Sequence, residues 1–340
     1  MGPGRHQKFR ASSYGGRLLV GLALAVASAS CSETLDFGTT MPRGPLPVDE
    51  RNPIILVNDG PYDNWQGEYA ILLANGGGPQ LAGIVVTAQQ LYPDMNANFA
   101  GWQAMVSAAR KSGLGGIPDP IKGSSTPLAR PANDDIAAAV PNGSEGARFI
   151  LRESSRRALP YRPVVVATGG SLTDIADAYL LDPTVAERIV VVSALGTQST
   201  AGGAMGGPNG DLDPWASAIV ATRFRYVQVS TWYEQTLDMP EARWSDLPDS
   251  PFADWMVAKR TKILKQIGAA DQVTVEATGI PGFVVGLERV SAGPLAPGGN
   301  NGPDLALDSN GHVWLVTQIA SVTATSRFGE LLRNPTTYHR

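Results

Sequence analysis

The chain has 340 residues, 43% hydrophobic and 17% charged, which is ample for one large core or two smaller ones. A formal net charge of -4 argues against a general nucleic-acid surface, which is normally basic. The single cysteine excludes an intrachain disulfide, and 38 Gly with 26 Pro point to many turns rather than a helical bundle.

Arg5, Lys8, Arg10 and Arg17 precede an apolar run, Leu18 to Ala27, and then Ser28-Ala29-Ser30-Cys31. A basic start, a short apolar stretch and small residues read as a signal peptide over residues 1–30, since the run is too short to span a bilayer. Cys31 directly after the small residues resembles a bacterial lipobox, with Ser28 where that motif usually has Leu. The expectation is export to the periplasm or cell envelope, with Cys31 as the lipidated residue and the membrane reached through that anchor alone. Residues 31–51 lack hydrophobic periodicity and contain Pro, Gly and Thr, so they read as a tether. Residues 52–340 read as one folded domain.

The first expected strand is Ile54-Ile55-Leu56-Val57, bounded by Asn58-Asp59-Gly60-Pro61. A helix follows over 65–74, with Asp63 as its cap and Gln66 closing a capping box. A strand over 81–87, a helix over 98–112 and an edge-like strand over 117–123 come next. Residues 124–143 form a long polar excursion. Ser144 caps a helix over 145–156, and 163–167 is a strand running into Gly169-Gly170-Ser171-Leu172-Thr173-Asp174. Further strands are expected over 189–192, 225–229 and 312–317. Helices are expected through 176–180, from Asp213-Pro214 to 220, and over 326–332. Residues 232–297 give no clear pattern. Short apolar strands alternating with helices predict an α/β fold, a largely parallel open sheet with helices on both faces.

In such sheets ligands bind beyond the carboxyl ends of strands. Four polar turns sit at such ends: Asp59–Asn64, Thr87–Gln90, Gly170–Asp174 and Asn209–Pro214. Each alone could be a turn or a helix cap. Oxygen-bearing side chains converging on the first loop would suit a hard cation such as Ca²⁺.

Taken in order, these motifs resemble the inosine-uridine-preferring nucleoside hydrolases. The family pattern Asp-x-Asp-Pro-Gly-x-Asp-Asp is similar to residues 57–64, with Asp59 and Asp63 matching and an amide, Asn64, at the last Asp. Gly-Ile-Thr-Thr-Val-Ala-Gly-Asn is similar to residues 83–90, with Gln90 at the ribose-contacting Asn. Arg-Pro-Leu-x-Arg-Pro is similar to the segment ending in Pro127-Leu128-Ala129-Arg130-Pro131, and Gly-Pro-Leu-Thr-Asn to residues 170–174. Leu181-Asp182-Pro183 follows as in the family, and Glu-Phe-Asn-x-x-x-Asp-Pro is similar to residues 207–214, with Asn209 matching and Gly207 replacing Glu. The resemblance covers residues 52–220 well and the remainder weakly.

What the resemblance implies is an N-glycosyl hydrolase for nucleosides or a related ribosyl compound, working by metal-assisted attack of water. Asp59 would be base and Ca²⁺ ligand, Asp63, Asn64 and the Thr173 carbonyl further ligands, and Gln90 and Asn209 ribose contacts. It also implies a homo-oligomer, although no interface is legible in the sequence. The family's His-Asp pair has no counterpart: His312 and His339 are not followed by Asp, and Asp304 or Asp308 are candidate substitutes for the missing carboxylate. Asn64 and Gly207 lower the charge of the site. The alternative is a catalytically impaired envelope lipoprotein of the same fold that binds a nucleoside or sugar.

Overall fold

The computed structural model describes residues 51–61, 65–88, 94–194, 208–229, 236–238, 247–267, 272–274, 284–297, 302–319 and 321–334. In chain order the elements are β1 (Ile54–Asn58), α1 (Gln66–Asn75), β2 (Leu81–Val86), α2 (Met95–Lys111), β3 (Pro120–Lys122), a 3-10 turn (Ile136–Ala138), α3 (Glu145–Arg157) and β4 (Val164–Thr168). These are followed by α4 (Thr173–Leu181), α5 (Val185–Arg188), β5 (Ile189–Ala194), α6 (Pro208–Asp211), α7 (Pro214–Arg223) and β6 (Arg225–Val229). The last part holds β7 (Thr236–Asp238), α8 (Pro251–Ile267), β8 (Gln272–Thr274), β9 (Val284–Ala292), β10 (Leu305–Leu307), β11 (Val313–Ile319) and α9 (Ser321–Arg333).

Among the described residues the main sheet has nine strands in the order β10-β9-β11-β6-β5-β4-β1-β2-β3. Every neighbouring pair from β11 through β3 is parallel, while β9 runs antiparallel to both β11 and β10. β7 and β8 form a separate antiparallel pair. The strand order reverses direction between β1 and β4, which makes their carboxyl ends the topological switch point.

The continuous apolar strands follow from burial on both faces. In β1, Ile54 and Leu56 join a core with residues of α1, α2, α8 and α9. Ile55 and Val57 join the opposite core, with residues of α3, α4 and α7. Local signals set several helix starts. The Ser144 hydroxyl accepts from Ala147 N at 3.0 Å at the start of α3, and the Asp213 carboxylate accepts from Ala216 N at 3.0 Å, with Pro214 in the first turn of α7. Gly77, at φ 86°, supplies the left-handed turn that ends the α1 region.

Three expectations need correction. First, α1 begins at Gln66, one residue after the expected start, and the Gln66 side-chain oxygen accepts from Asn58; the expected cap, Asp63, lies outside the described residues. Second, α2 begins at Met95, three residues before the expected start, because Asp94 accepts from Asn96 N and Ala97 N at 2.9 and 3.2 Å. Third, residues 232–297 are not featureless, since α8 and β9 lie there. The inward stripe of α8 is Phe252, Met256 and Lys259, and a buried lysine in an apolar stripe masks the helical period.

Candidate active site at the switch point

The sharp end of β1 brings the first polar turn to the switch point. Asp59 follows the last strand residue, is 4% exposed, and accepts from Gly60 N at 2.7 Å. Gly169 N donates to Val57 O at 3.1 Å, and Thr87 N donates to Asn58 O at 2.8 Å, so the tips of β1, β2 and β4 are laced together. A Cβ on Gly170 would stand 3.0 Å from both Asp59 N and Thr87 Oγ1, which leaves room for glycine alone without displacement.

Asn209, on the short α6, reaches the same point. Its Nδ2 donates to Gly169 O at 3.1 Å and to Ala194 O at 2.9 Å, joining the ends of β4 and β5. With both N–H groups spent on backbone carbonyls, the side chain can offer a ligand only its amide oxygen. Thr173 opens α4 with its hydroxyl committed: it donates to Asp213 Oδ2 at 2.8 Å and stands 2.9 Å from Ser171 Oγ. Only its main-chain oxygen is left for the role the resemblance implies. The structure therefore gathers Asp59, Asn209 and Thr173 around the β1, β4 and β5 tips. Asp63, Asn64, Gln90 and Cys31 lie outside the described residues.

Sequence reasoning missed the acid cluster that flanks this site. Asp174 accepts from Ser124 N at 2.9 and 3.1 Å and from the Ser144 hydroxyl at 2.7 Å. Asp177 accepts from Gly143 N and Ser144 N at 3.0 and 2.8 Å. Asp213 accepts from Leu128 N and the Thr173 hydroxyl, each at 2.8 Å. All three are fully buried. Together they bind both ends of the 124–144 excursion to α4 and α7, which gives that long loop its anchor. Burial pushes the Asp174 carboxyl up to about 7, against the hydrogen bonds from Ser144 and Ser124 and with help from the charges of Asp177 and Asp213. Burial likewise raises Asp213, opposed by its backbone donors. The one signal in the sequence is that Asp174 stands where the resembled family has Asn, while Asp213 belongs to the Asn209–Pro214 turn that opens a helix.

The candidates for the missing His-Asp pair are elsewhere. His312 precedes β11, which is parallel to β6, so it lies at the amino edge of the sheet; its Nε2 is 2.7 Å from Ala221 O. Asp308 closes the turn before β11, accepting from Asn310 N at 2.9 Å and from the Ser291 hydroxyl at 2.5 Å. Asp304 immediately precedes β10, with its carbonyl accepting from Gly293 N at 2.8 Å. Among the described residues, no three His, Cys, Asp or Glu side chains form a group that could hold a metal ion.

No protein-family model matches the chain, and no curated protein matches it in sequence. Solved structures do match. An inosine-guanosine nucleoside hydrolase superposes with a TM-score of 0.61 at 12% identity, over 83% of this chain and 98% of that one. A purine-preferring ribonucleoside hydrolase from Gardnerella vaginalis gives 0.60 at 15%, over 84% and 99%. A plant nucleoside hydrolase, the PpNRh1 enzyme, gives 0.58 at 13%, over 83% and 99%. This chain has the nucleoside-hydrolase fold. The match extends over nearly the whole length of each of these hydrolases, so the C-terminal strands that the sequence left unplaced belong to the same architecture. Within a nucleoside-hydrolase fold, Asp59 occupies the position that topology reserves for ligands, outside the carboxyl ends of β1 and β4.

Proposed function

We propose that the protein hydrolyses the N-glycosidic bond of nucleosides or a related ribosyl compound. The observation that carries this reading is a buried carboxylate, Asp59, at the switch point of a nucleoside-hydrolase fold. Asp59 accepts the proton of the attacking water, and its negative charge favours an oxocarbenium-like transition state at the sugar. Asn209 offers its amide oxygen to a sugar hydroxyl, held in place by the carbonyls of Gly169 and Ala194. Desolvation at the strand tips strengthens both contacts.

The donor chemistry fits Ca²⁺. One buried oxygen at these tips, Thr87 Oγ1, has no hydrogen-bond partner among the described residues, and an all-oxygen set is what a hard cation takes. Asp59 and the Thr173 main-chain oxygen would hold the ion, with Asp63 and Asn64 as the further ligands the resemblance implies. When bound, Ca²⁺ would acidify the nucleophilic water and bind sugar hydroxyls. The test is release of free base and ribose from a nucleoside panel, with and without Ca²⁺. Asp59→Ala should abolish it, and a wild-type protein inert to every nucleoside at millimolar Ca²⁺ would sink the hydrolase reading.

The position of His312 favours a second reading, a sugar- or nucleoside-binding protein without turnover. The ring lies at the far edge of the sheet, and no described histidine is at the site to protonate a leaving base. Under that reading ribose or a nucleoside binds and Asp59→Ala weakens binding, with no bond cleavage in either protein. In both readings we place the protein in the bacterial envelope, anchored through Cys31. Cys31→Ala should move it from the membrane fraction to the soluble fraction.

A further inference from the structure

The connection from β1 to α1 carries Asp59, and a side-chain bond joins its two ends. Asn58, the last residue of β1, donates Nδ2 to Oε1 of Gln66, the first residue of α1. Both side chains are fully buried. Neither local rule asks for this. The position in β1 is otherwise apolar, and a glutamine that opens a helix ordinarily faces water or caps it. The bond also leaves Asn58 Oδ1 buried without a partner among the described residues, a cost that an apolar residue would avoid.

The pair is backed by the turn after β4. A Cβ on Gly169 would lie 2.7 Å from Asn58 Nδ2 and 2.9 Å from Gln66 Oε1. Gly169 is itself fixed, its N–H by Val57 O and its carbonyl by Asn209 Nδ2. One polar network thus ties together the β1–α1 connection, the β4 turn and α6. The same first turn of α1 is pinned a second time. Lys259 of α8 pairs with Glu68 at 2.7 Å, and its ammonium lies 4.6 Å from the centre of the Trp65 ring.

We propose that Asn58 and Gln66 are positioning residues, which fix the span of the β1–α1 connection so that the Asp59 carboxylate is aimed at its ligand. They do this without touching the ligand. The physical reason is that a buried amide pair adds little net stability but is directional, whereas apolar contacts are not. Outer partners that orient ligating carboxylates govern affinity in this way. The proposal rests on the reading of Asp59 as the ligand-binding group.

The test uses Asn58→Leu/Gln66→Met, which removes both polar groups of this bond at similar volume. Two readouts are taken: amide hydrogen exchange across residues 57–68, and calorimetric binding of Ca²⁺ and of ribose. The expected result is a melting temperature no lower than that of the wild type, with faster exchange in this segment. Ligand affinity should drop about tenfold or more. Gln66→Glu, which keeps an acceptor for Asn58, should retain more affinity than Gln66→Met, and this single-site pair gives the same answer if the double variant does not fold. Unchanged exchange overturns the proposal. So does faster exchange with wild-type affinity, which would reduce the pair to packing. A wild-type protein that binds neither Ca²⁺ nor ribose sinks the reading of Asp59, and the exchange result then decides by itself whether the pair holds the connection.

Discussion

Two polar clusters flank the carboxyl edge of the sheet, and they are built differently. Around Gly169 the groups are carboxamides: Asn58, Gln66 and Asn209. Around α4 they are carboxylates: Asp174, Asp177 and Asp213, each satisfied by backbone N–H groups or hydroxyls of the 124–144 excursion and its neighbours. The amide cluster carries no charge, so its geometry is insensitive to pH. The acid cluster gathers three carboxyls with no described cation among its hydrogen-bond partners, so burial raises Asp174 and Asp213. Loop anchoring through backbone N–H groups demands strong acceptors, whereas holding a ligand carboxylate in place demands direction.

The largest expected effect breaks the acid cluster. Asp213→Ala strips acceptors from Leu128 N, Ala216 N and the Thr173 hydroxyl at once. It should lower unfolding free energy by about 3 kcal/mol or more, measured by urea denaturation, and a loss under about 1 kcal/mol would show that the loop does not depend on it.

The second prediction separates the clusters by pH. The folded carboxyl of Asp174 titrates near 7, above the ordinary 3.8. The folded state therefore binds its proton more tightly than the unfolded state. The contribution of this group is full below about pH 4 and is lost as pH rises through 7. Asp174→Asn should flatten the decline of melting temperature between pH 4 and 7 and raise it at pH 8 relative to wild type. Identical profiles for the two proteins would remove the titration argument.

A smaller effect is expected in the amide cluster. Gly169→Ala crowds Asn58 and Gln66 and should cost about 1–3 kcal/mol, with a pH profile parallel to that of the wild type. A changed slope between pH 4 and 7 would mean that the two clusters are coupled.

The smallest effect is the control. The Arg130–Asp134 pair of the same excursion is close, at 2.6 Å, but exposed at Asp134. Asp134→Asn should leave the melting temperature essentially unchanged, and a large drop would move the anchor of the loop from its buried acids to its surface.

Much of the parallel half was legible in the sequence. Val, Ile and Leu runs bounded by Gly, Asn and Asp read as buried strands because both faces of β1, β2, β4 and β5 are covered. Ser144 and Asp213 read as caps because capping is a contact over three residues. The turns at Asp59, Gly170 and Asn209 could be lined up as candidate ligand loops for the same reason, each being a local motif. The antiparallel edge was not legible: β9 alternates weakly and contains Glu288 and Arg289, while β10 has three residues.

The sequence by itself determined the strand–helix alternation, the caps and the polar turns, since these depend on neighbours within a few residues. Only the tertiary structure decided that the Gln66 side-chain oxygen meets Asn58, that Asp174 is an anchor rather than a turn residue, that His312 sits at the far edge, and that Lys259 is buried against Glu68. Each of those outcomes depends on a partner brought close by the fold, at a separation of 8 residues for Gln66 and 191 for Lys259. Local sequence carries no signal for such a partner, and burial without one would cost more than the contact returns.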